Sequence, residues 1–223
     1  MTDKIKVHRF TNNKITTPYA PTWDFIIAEK RTDLDVKGLA KIILDGTIDH
    51  FFFPGDEKKP LAGSLKFKDK NILKVDHPLC KQLHKEIRDF HNEYVNATIG
   101  EFDKKIDIKC WTNIMHKGSS LPRHFHSSKH TSYLSGHLTV QCEDTSTNYY
   151  HPYIVGEYPT PNFEGQMTIF PTWVPHDTSK HEGDSERISI AFDFVPEDTP
   201  LEDLDTFYSA KKWRNDRKEL VPL

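Results

Sequence analysis

The chain has 223 residues, of which 36% are hydrophobic and 28% charged, and this length and balance are typical of one sizeable globular domain. A net charge of -3 disfavours nucleic acid and anionic membranes as partners, and no apolar run approaches the roughly 20 residues of a membrane span. Three widely spaced cysteines and a polar N-terminus without a signal-peptide core favour the cytoplasm.

The N-terminal part of the chain predicts an arm, a strand and a helix. Residues 1–20 are polar and predict an arm with a short strand near Lys6–Phe10. The compact apolar run Trp23–Ala28 predicts a further strand. Asp33 is a candidate N-cap for a helix that would end near Asp45. The apolar stripe of this helix consists of Leu34, Leu39, Ile42 and Ile43.

The clearest helical pattern follows a mixed stretch, 50–71, which predicts a loop. Asp76 is a candidate N-cap with Pro78 in the first turn, and the helix should end near Asn96. Its apolar residues recur at helical spacing and are Leu79, Leu83, Ile87, Phe90 and Tyr94. Such a stripe is expected to back one face of a β-sheet.

From residue 105 onward the pattern changes to short β-strands. The predicted strands are Ile106–Ile114, Tyr133–Cys142, Gly165–Pro171 and Arg187–Phe194. Within the second, Gly136 allows a close approach of the backbone. The stretch 143–164 predicts loops, and 200–213 a terminal helix. This order predicts a mainly β jelly roll with flanking helices, one domain over 1–223 with its core motifs at about 105–195 and supporting helices and loops at 20–100.

Three histidines form the candidate metal site. His124 and His126 are separated by one residue, so in an extended backbone their side chains point to the same face. His176 follows fifty residues later, where a strand-like run ends. Imidazole suits iron, copper, nickel and zinc. Three ligands leave positions open for small molecules, whereas a structural zinc site is normally closed by four protein ligands.

An arginine eleven residues beyond His176 adds a candidate carboxylate-binding group to this site. The planar fork of Arg187 can bind a carboxylate through two parallel hydrogen bonds. Ser189 lies two residues on, faces the same way and can add a third. The alternative is that Arg187 forms a surface ion pair with Glu186 or Asp184. Together, the histidines and the arginine suit a mononuclear iron site with an acid as co-substrate.

These residues also carry a family pattern. His-x-His is followed by Leu-Ser-Gly on a strand, then by Gly-x-Met-x-Ile-Phe-Pro-x-Trp-Val-x-His, and then by Arg-Ile-Ser-Ile-x-Phe. The pattern covers roughly 105–195. It resembles the 2-oxoglutarate- and iron(II)-dependent oxygenases that are related to the prolyl hydroxylases and are common in bacterial and phage genomes.

The resemblance implies a cupin-like double-stranded β-helix with iron(II) in its mouth, held by His124, His126 and His176. It implies 2-oxoglutarate and O2 as co-substrates, with Arg187 on the distal carboxylate, and ascorbate as an optional reductant. The implied reaction hydroxylates a C–H bond and releases succinate and CO2. Tyr133 is a candidate co-substrate contact beside Ser189. Trp111 and Asn113 are candidates for the pocket wall.

One position departs from the wider superfamily, which usually has Asp or Glu two residues after the first histidine. Here His126 or Ser128 occupies that position. The site could use three histidines, or two with water, or a carboxylate from elsewhere, of which the candidates are Glu143, Asp144 and Asp177.

Two rival functions remain open from the residues. A cupin-like metalloenzyme without 2-oxoglutarate would share the histidines but would not need Arg187. A β-sandwich binding module without catalysis could use loop tyrosines to stack sugars, with candidates Tyr149, Tyr150, Tyr153 and Tyr158. The prime substrate is not readable from the chain, and a protein side chain and a small molecule are both open.

Overall fold

The computed structural model describes residues 4–12, 15–45, 50–51, 63–67, 71–129, 131–151, 157–200 and 220–223. Within these ranges the chain forms twelve strands, two α-helices and a short 3-10 helix at Ile72–Lys74. The helices are α1 (Val36–Leu44) and α2 (Pro78–Thr98). The strands are β1 (Lys6–Thr11), β2 (Asp24–Arg31), β3 (His50–Phe51), β4 (Gly63–Phe67), β5 (Ile106–Met115), β6 (Leu134–Gln141), β7 (Ser146–Tyr150), β8 (Glu157–Pro161), β9 (Gln166–Pro171), β10 (His176–Thr178), β11 (Arg187–Pro196) and β12 (Val221–Pro222).

The strands form two antiparallel sheets. The large sheet has the order β1-β2-β9-β6-β11-β5-β4-β3, with β12 paired to β5, and the small sheet has the order β10-β7-β8. The two sheets contact each other through aromatic side chains. Phe170 of β9 lies edge-on to Tyr149 of β7, with ring centroids 5.0 Å apart. Non-consecutive strands that pair in two facing antiparallel sheets define a jelly roll.

The two helices lie in the hydrophobic core on the other face of the large sheet. Leu83, Ile87 and Phe90 of α2 are fully buried and share one core cluster with Ile190 and Phe192 of β11. The predicted role of this helix, to back the sheet, is therefore confirmed. Burying one aliphatic or aromatic side chain of this kind stabilises the fold by about 1.5–3 kcal/mol.

Both helices begin at a different cap from the predicted one. The N-cap of α1 is Asp35 instead of Asp33, because the Asp35 carboxylate accepts a hydrogen bond from the Gly38 amide at 2.9 Å. The N-cap of α2 is His77, whose Nδ1 accepts from the Leu79 amide at 3.2 Å. The carboxylate of the predicted cap, Asp76, instead pairs with an exposed lysine.

Two stretches predicted as loops contain strands. The 50–71 stretch holds β3 and β4, and the 143–164 stretch holds β7 and β8. In β7 the buried residues are Thr147 and Tyr149, so polar residues lie on both faces of the strand. Such a strand lacks the alternation of apolar and polar residues on which the prediction of strands depends.

The predicted helix at 200–213 lies almost wholly outside the described residues. No helix in the described part of the chain is long and apolar enough to cross a membrane. The single-domain assignment stays a prediction.

The alternation of β11 separates the core from the site. Ile188, Ile190 and Phe192 point into the helix-backed core. Arg187, Ser189 and Asp193 point to the opposite face, towards the small sheet, because neighbouring residues of a strand face opposite sides. Buried polar side chains therefore occupy the space between the two sheets.

Candidate metal centre

Backbone pairing brings the two histidine segments together. The amide of His124 donates to the His176 carbonyl at 2.9 Å, and the His176 amide returns the bond at 2.8 Å. The amide of His126 donates to the Thr172 carbonyl at 2.8 Å. One ring nitrogen from each of the three histidines lies within 4.8 Å of those of the other two. The three side chains thus converge on one point, as a mononuclear metal site requires.

Backbone carbonyl groups fix the orientation of two of the rings. The Nδ1–H of His124 donates to the Pro122 carbonyl at 2.7 Å, and that of His176 donates to the Val174 carbonyl at 3.1 Å. Since a carbonyl oxygen only accepts, both Nδ1 atoms carry the proton and both Nε2 atoms carry a lone pair instead. Burial, together with neighbouring histidines, lowers the pKa of both rings. Both are therefore neutral, which is the form that binds a metal.

A buried carboxylate orients the third ring. His126 Nδ1–H donates to Asp193 Oδ1 at 2.5 Å, and the Ser135 hydroxyl donates to the same oxygen at 2.6 Å. Burial acts to raise the pKa of the Asp193 carboxyl, but its interaction with His126, with smaller effects of Lys109 and Ser135, holds that pKa below its usual value. Asp193 is thus ionised, and it leaves His126 Nε2 free for a metal.

Among the described residues, the three histidines are the one group of His, Cys, Asp or Glu with the spacing of a metal site. The carboxylates considered from the sequence lie elsewhere. Asp177 accepts from Tyr150 at 2.6 Å and from Asn148 at 2.9 Å, and Glu143 bonds to Ser185. The donor set is therefore three imidazoles with an anionic carboxylate one hydrogen bond further out. Metal binding by these histidines stays a prediction.

Arg187 lies between the sheets and is 1% exposed. Its guanidinium donates to Thr145 Oγ1 at 3.3 Å, to Ser189 Oγ at 3.4 Å and to the Met115 sulfur at 3.3 Å. None of the described carboxylates lies within ion-pair distance of it, and the predicted surface partner Asp184 instead pairs with Lys117 at 2.6 Å. The surface ion-pair alternative for Arg187 is therefore wrong.

Burial lowers the pKa of Arg187 to about 10, so the group remains a cation at neutral pH. A buried charge without a counter-ion costs several kcal/mol. Hydroxyl groups that can donate and accept hydrogen bonds lie around the guanidinium. Those of Thr145 and Ser189 contact it. The buried hydroxyl of Thr139, the cross-strand partner of Ser189, has no hydrogen-bond partner among the described residues. A bound carboxylate would satisfy both the charge and the hydroxyl groups. The pocket is thus suited to an acid.

The other predicted pocket residues divide between two sides of the large sheet. Trp111 lies beside His126 with ring centroids 5.8 Å apart, and Asn113 is the cross-strand partner of Ser189. Tyr133 stacks on Phe102 and its hydroxyl bonds to His91 of α2 at 3.0 Å. Tyr133 also lines a cavity of about 50 Å3 whose wall includes His126 and Asp193. Its predicted contact with the co-substrate stays a prediction.

Sequence reasoning missed Asp193, Ser135 and Thr145. One signal was available for Asp193, because the period of two that relates Arg187 to Ser189 continues to Asp193 on the same face of β11. Thr145 and Ser135 are common strand and turn residues that carry no such signal.

The fold and the site together define a jelly-roll protein with a candidate three-histidine metal centre beside an anion pocket. A family model described as "Putative 2OG-Fe(II) oxygenase" matches residues 154–193, which include His176 and Arg187. A comparison with curated proteins gives no match. The resemblance predicted from the motifs is therefore confirmed by the family model.

Solved structures share the fold at low sequence identity. A prolyl-4-hydroxylase of Pseudomonas putida is 16% identical, with a TM-score of 0.57 over 76% of this chain and 91% of that one. HygX of Streptomyces hygroscopicus, solved with nickel, 2-oxoglutarate and hygromycin B, is 11% identical, with a TM-score of 0.55 over 77% and 83%. The epimerase SnoN, in complex with Fe3+, alpha ketoglutarate and nogalamycin RO, is 12% identical, with a TM-score of 0.55 over 88% and 90%. The predicted fold class is confirmed.

Proposed function

We propose that this protein is a 2-oxoglutarate- and iron(II)-dependent dioxygenase that hydroxylates a C–H bond of its prime substrate. In the balanced reaction, one oxygen atom of O2 enters succinate, which is formed with loss of CO2, and the other enters the product hydroxyl group. The observation that carries the proposal is the juxtaposition of three convergent Nε2 atoms with a buried arginine that lacks a described counter-ion.

The three histidines fit iron(II) by donor type and number. Neutral imidazole is a ligand of intermediate softness, and three of them leave room for two atoms of a 2-oxo acid and for O2. When bound there, iron(II) supplies the activation of O2 that couples decarboxylation to hydroxylation. His124, His126 and His176 would hold the ion, and Asp193 would keep the His126 ring in the required tautomer.

The remaining residues position the co-substrate and exclude water. Arg187 would bind the distal carboxylate of 2-oxoglutarate, with the Ser189 and Thr145 hydroxyl groups beside it. Fixing that end presents the 2-oxo acid group to the metal in one orientation. The buried rings of Phe170 and Tyr149, which pack between the sheets, would help to exclude bulk solvent from the site.

The direct test measures the release of succinate with and without the prime substrate. Purified protein supplied with iron(II), ascorbate, 2-oxoglutarate and O2 should release succinate, faster with the prime substrate than without it. Arg187→Ala should lose affinity for 2-oxoglutarate and should bind nickel(II) as the wild type does. A wild-type protein that binds the metal but neither binds nor consumes 2-oxoglutarate would contradict the proposal.

A cupin-like metalloenzyme without 2-oxoglutarate is the second candidate, and the all-histidine donor set favours it. The superfamily pattern has a carboxylate where this chain has a third histidine. In that case Arg187→Ala would leave activity on the prime substrate intact. A sugar-binding module has less support, because Tyr149 is buried, Tyr158 packs against Phe10, and Arg123 covers the ring of Tyr150. Tyr153 lies outside the described residues.

We also propose that the protein works in the cytoplasm and acts on a protein side chain or a small metabolite. Cys80, Cys110 and Cys142 are all free thiols, which supports a reducing compartment. Screening a panel of peptides and metabolites for stimulated succinate release would discriminate between the two substrate classes.

A further inference from the structure

His137 lies on β6 between the two halves of the site. Two residues before it, on the same face, the Ser135 hydroxyl lies 3.0 Å from His126 Nδ1. Two residues after it, Thr139 is the cross-strand partner of Ser189 in the arginine pocket. Side chains two residues apart on a strand are separated by about 6.6 Å. His137 therefore occupies the middle of the face that a molecule must cross to reach from the metal ligands to the arginine.

The surroundings of His137 leave space over its ring. Its cross-strand partners on the two sides are Ala191 and Thr168, both of which are small, and the nearest described aromatic ring is Phe170 at 6.4 Å between centroids. The His137 side chain lies deep inside the molecule yet remains partly accessible to solvent, in a strand whose other residues are mostly buried. The ring is thus partly exposed on the face of β6 that carries Ser135 and Thr139.

The imidazole of His137 forms no hydrogen bond with another described residue. Burial, together with the positive charge of Arg187, lowers its pKa to about 3, so the ring is neutral and carries one N–H donor. The neighbouring Arg187 cation cannot accept a hydrogen bond, whereas a bound carboxylate can.

We propose that His137 contacts the 2-oxo acid co-substrate and donates its ring N–H to a carboxylate oxygen of that molecule. The inference rests on the proposed function, because it assigns a residue to the co-substrate of that reaction. It gives the site a neutral donor besides the cation of Arg187. His137 would donate as a neutral ring and Arg187 as a cation. Removal of either side chain should therefore weaken the binding of the dianion and leave the contribution of the other in place.

The test compares His137→Leu and His137→Val, which remove the donor, with His137→Gln, which keeps an N–H. Binding of 2-oxoglutarate to the nickel(II)-loaded proteins is measured by calorimetry, and nickel(II) affinity is measured separately by competition with a chelator. We expect the apolar variants to bind 2-oxoglutarate about 10- to 100-fold more weakly, which is the loss of one hydrogen bond to a charged group. His137→Gln should stay within about threefold of the wild type, and nickel(II) affinity should be unchanged in all three.

Thermal unfolding distinguishes this contact from a packing role. Without ligand, the apolar variants should be about as stable as the wild type, because His137 makes no hydrogen bond with a described residue that they would lose. With saturating 2-oxoglutarate they should gain less stability than the wild type, since stabilisation by a ligand follows its affinity. A variant that loses stability without ligand but binds 2-oxoglutarate normally would show that His137 only packs.

The outcomes separate this inference from the proposed function. If both apolar variants bind 2-oxoglutarate like the wild type while Arg187→Ala does not, the assignment of His137 is overturned and the proposed function stands. If the nickel(II)-loaded wild type does not bind 2-oxoglutarate at all, both are overturned. Weaker binding in the apolar variants, with recovery in His137→Gln, supports both.

Discussion

Asp193 contributes a negative charge one hydrogen bond away from the candidate metal. The donor set of three histidines is neutral, whereas the superfamily pattern includes a carboxylate. The carboxylate of Asp193 is buried, ionised and 2.5 Å from His126 Nδ1, so it partly supplies the missing charge through the ring. Hydrogen bonds of this kind raise the basicity of a ligand histidine and fix its tautomer.

Replacing Asp193 should therefore weaken metal binding. We expect Asp193→Ala to lower nickel(II) affinity about 10- to 100-fold, which is the usual effect of losing the partner of a ligand histidine. Asp193→Asn keeps an acceptor for His126 but removes the charge, so its affinity should be intermediate. Competition with a chelator measures both. Asp177→Asn is the matched control, because that carboxylate bonds to Tyr150. Wild-type affinity in Asp193→Ala would exclude the orienting role.

The charge of Arg187 should cost stability when no acid is bound. Replacing a buried unpaired ion with an apolar side chain of similar volume is often neutral or stabilising by about 1–4 kcal/mol. We expect Arg187→Met to unfold at higher urea concentration than the wild type in the absence of 2-oxoglutarate, and to gain no stability when it is added. Arg187→Lys keeps a cation and serves as the control. A less stable Arg187→Met without ligand would mean that the native contacts already compensate the charge.

The histidines, Arg187 and Ser189 could be predicted because each has a distinctive chemistry at a spacing that fixes its face. His137 could not be assigned to the site from the sequence, since its sequence neighbours say nothing about its partners. Its role depends on which strands lie beside β6, and that pairing comes from long-range topology. Asp193 falls between these cases, because its face was predictable and its contact with His126 was not.

At the scale of the elements, Gly136 fixes how closely β6 approaches its neighbours. A Cβ atom at this position would lie 2.3 Å from the Phe192 ring and 2.4 Å from the Thr168 carbonyl oxygen. The sequence-based interpretation of a close backbone approach is therefore confirmed. Because the strand also carries Ser135 and His137, the glycine sets the position of two site residues.

Gly136→Ala should destabilise the fold and disturb the site together. Overpacking a well-filled core costs about 1–3 kcal/mol, and the carbonyl contact at this position cannot be relieved by a side-chain rotation. We expect a lower midpoint in urea unfolding at an unchanged slope, together with weaker nickel(II) binding. A variant with wild-type stability would show that β6 can move away from β9 and β11 without cost.

Elements with an apolar period were predicted to within a few residues, as the strands β5, β6, β9 and β11 and the helix α2 show. The small sheet was missed because it has polar side chains on both faces. In β7 the inward-facing Thr147 bonds to Asn162 at 3.0 Å, so hydrogen bonds replace the apolar contacts that periodicity detects. A strand that faces a functional cavity is thus the kind that hydrophobic patterning overlooks.

At the scale of the whole molecule, the large sheet separates an apolar core from a polar interior. The helix side buries aliphatic and aromatic residues, whereas the side that faces the small sheet buries histidines, Arg187 and Asp193. Burial removes these ionisable groups from water. The stability of the metal-free protein should consequently depend on pH through the buried histidines.

The direction of this dependence follows from the pKa shifts. Burial lowers the pKa of His91, His124, His137 and His176 below the ordinary value of 6.5, in the case of His137 to about 3. Below pH 6.5 the unfolded chain therefore binds more protons than the folded one, and stability falls as the pH falls. Each histidine costs up to about 1.4 kcal/mol per pH unit until its folded pKa is reached.

We expect the metal-free protein to lose stability steadily from about pH 6.5 down to about pH 4, measured by urea unfolding at several pH values. The lowered pKa of Asp193 adds a loss only below its usual value of 3.8, so the upper window belongs to the histidines. His137→Leu is the matched control, because it should lessen the loss by about 1.4 kcal/mol per pH unit. Equal pH dependence in this variant and the wild type would mean that His137 takes up its proton in the folded state as readily as in the unfolded chain.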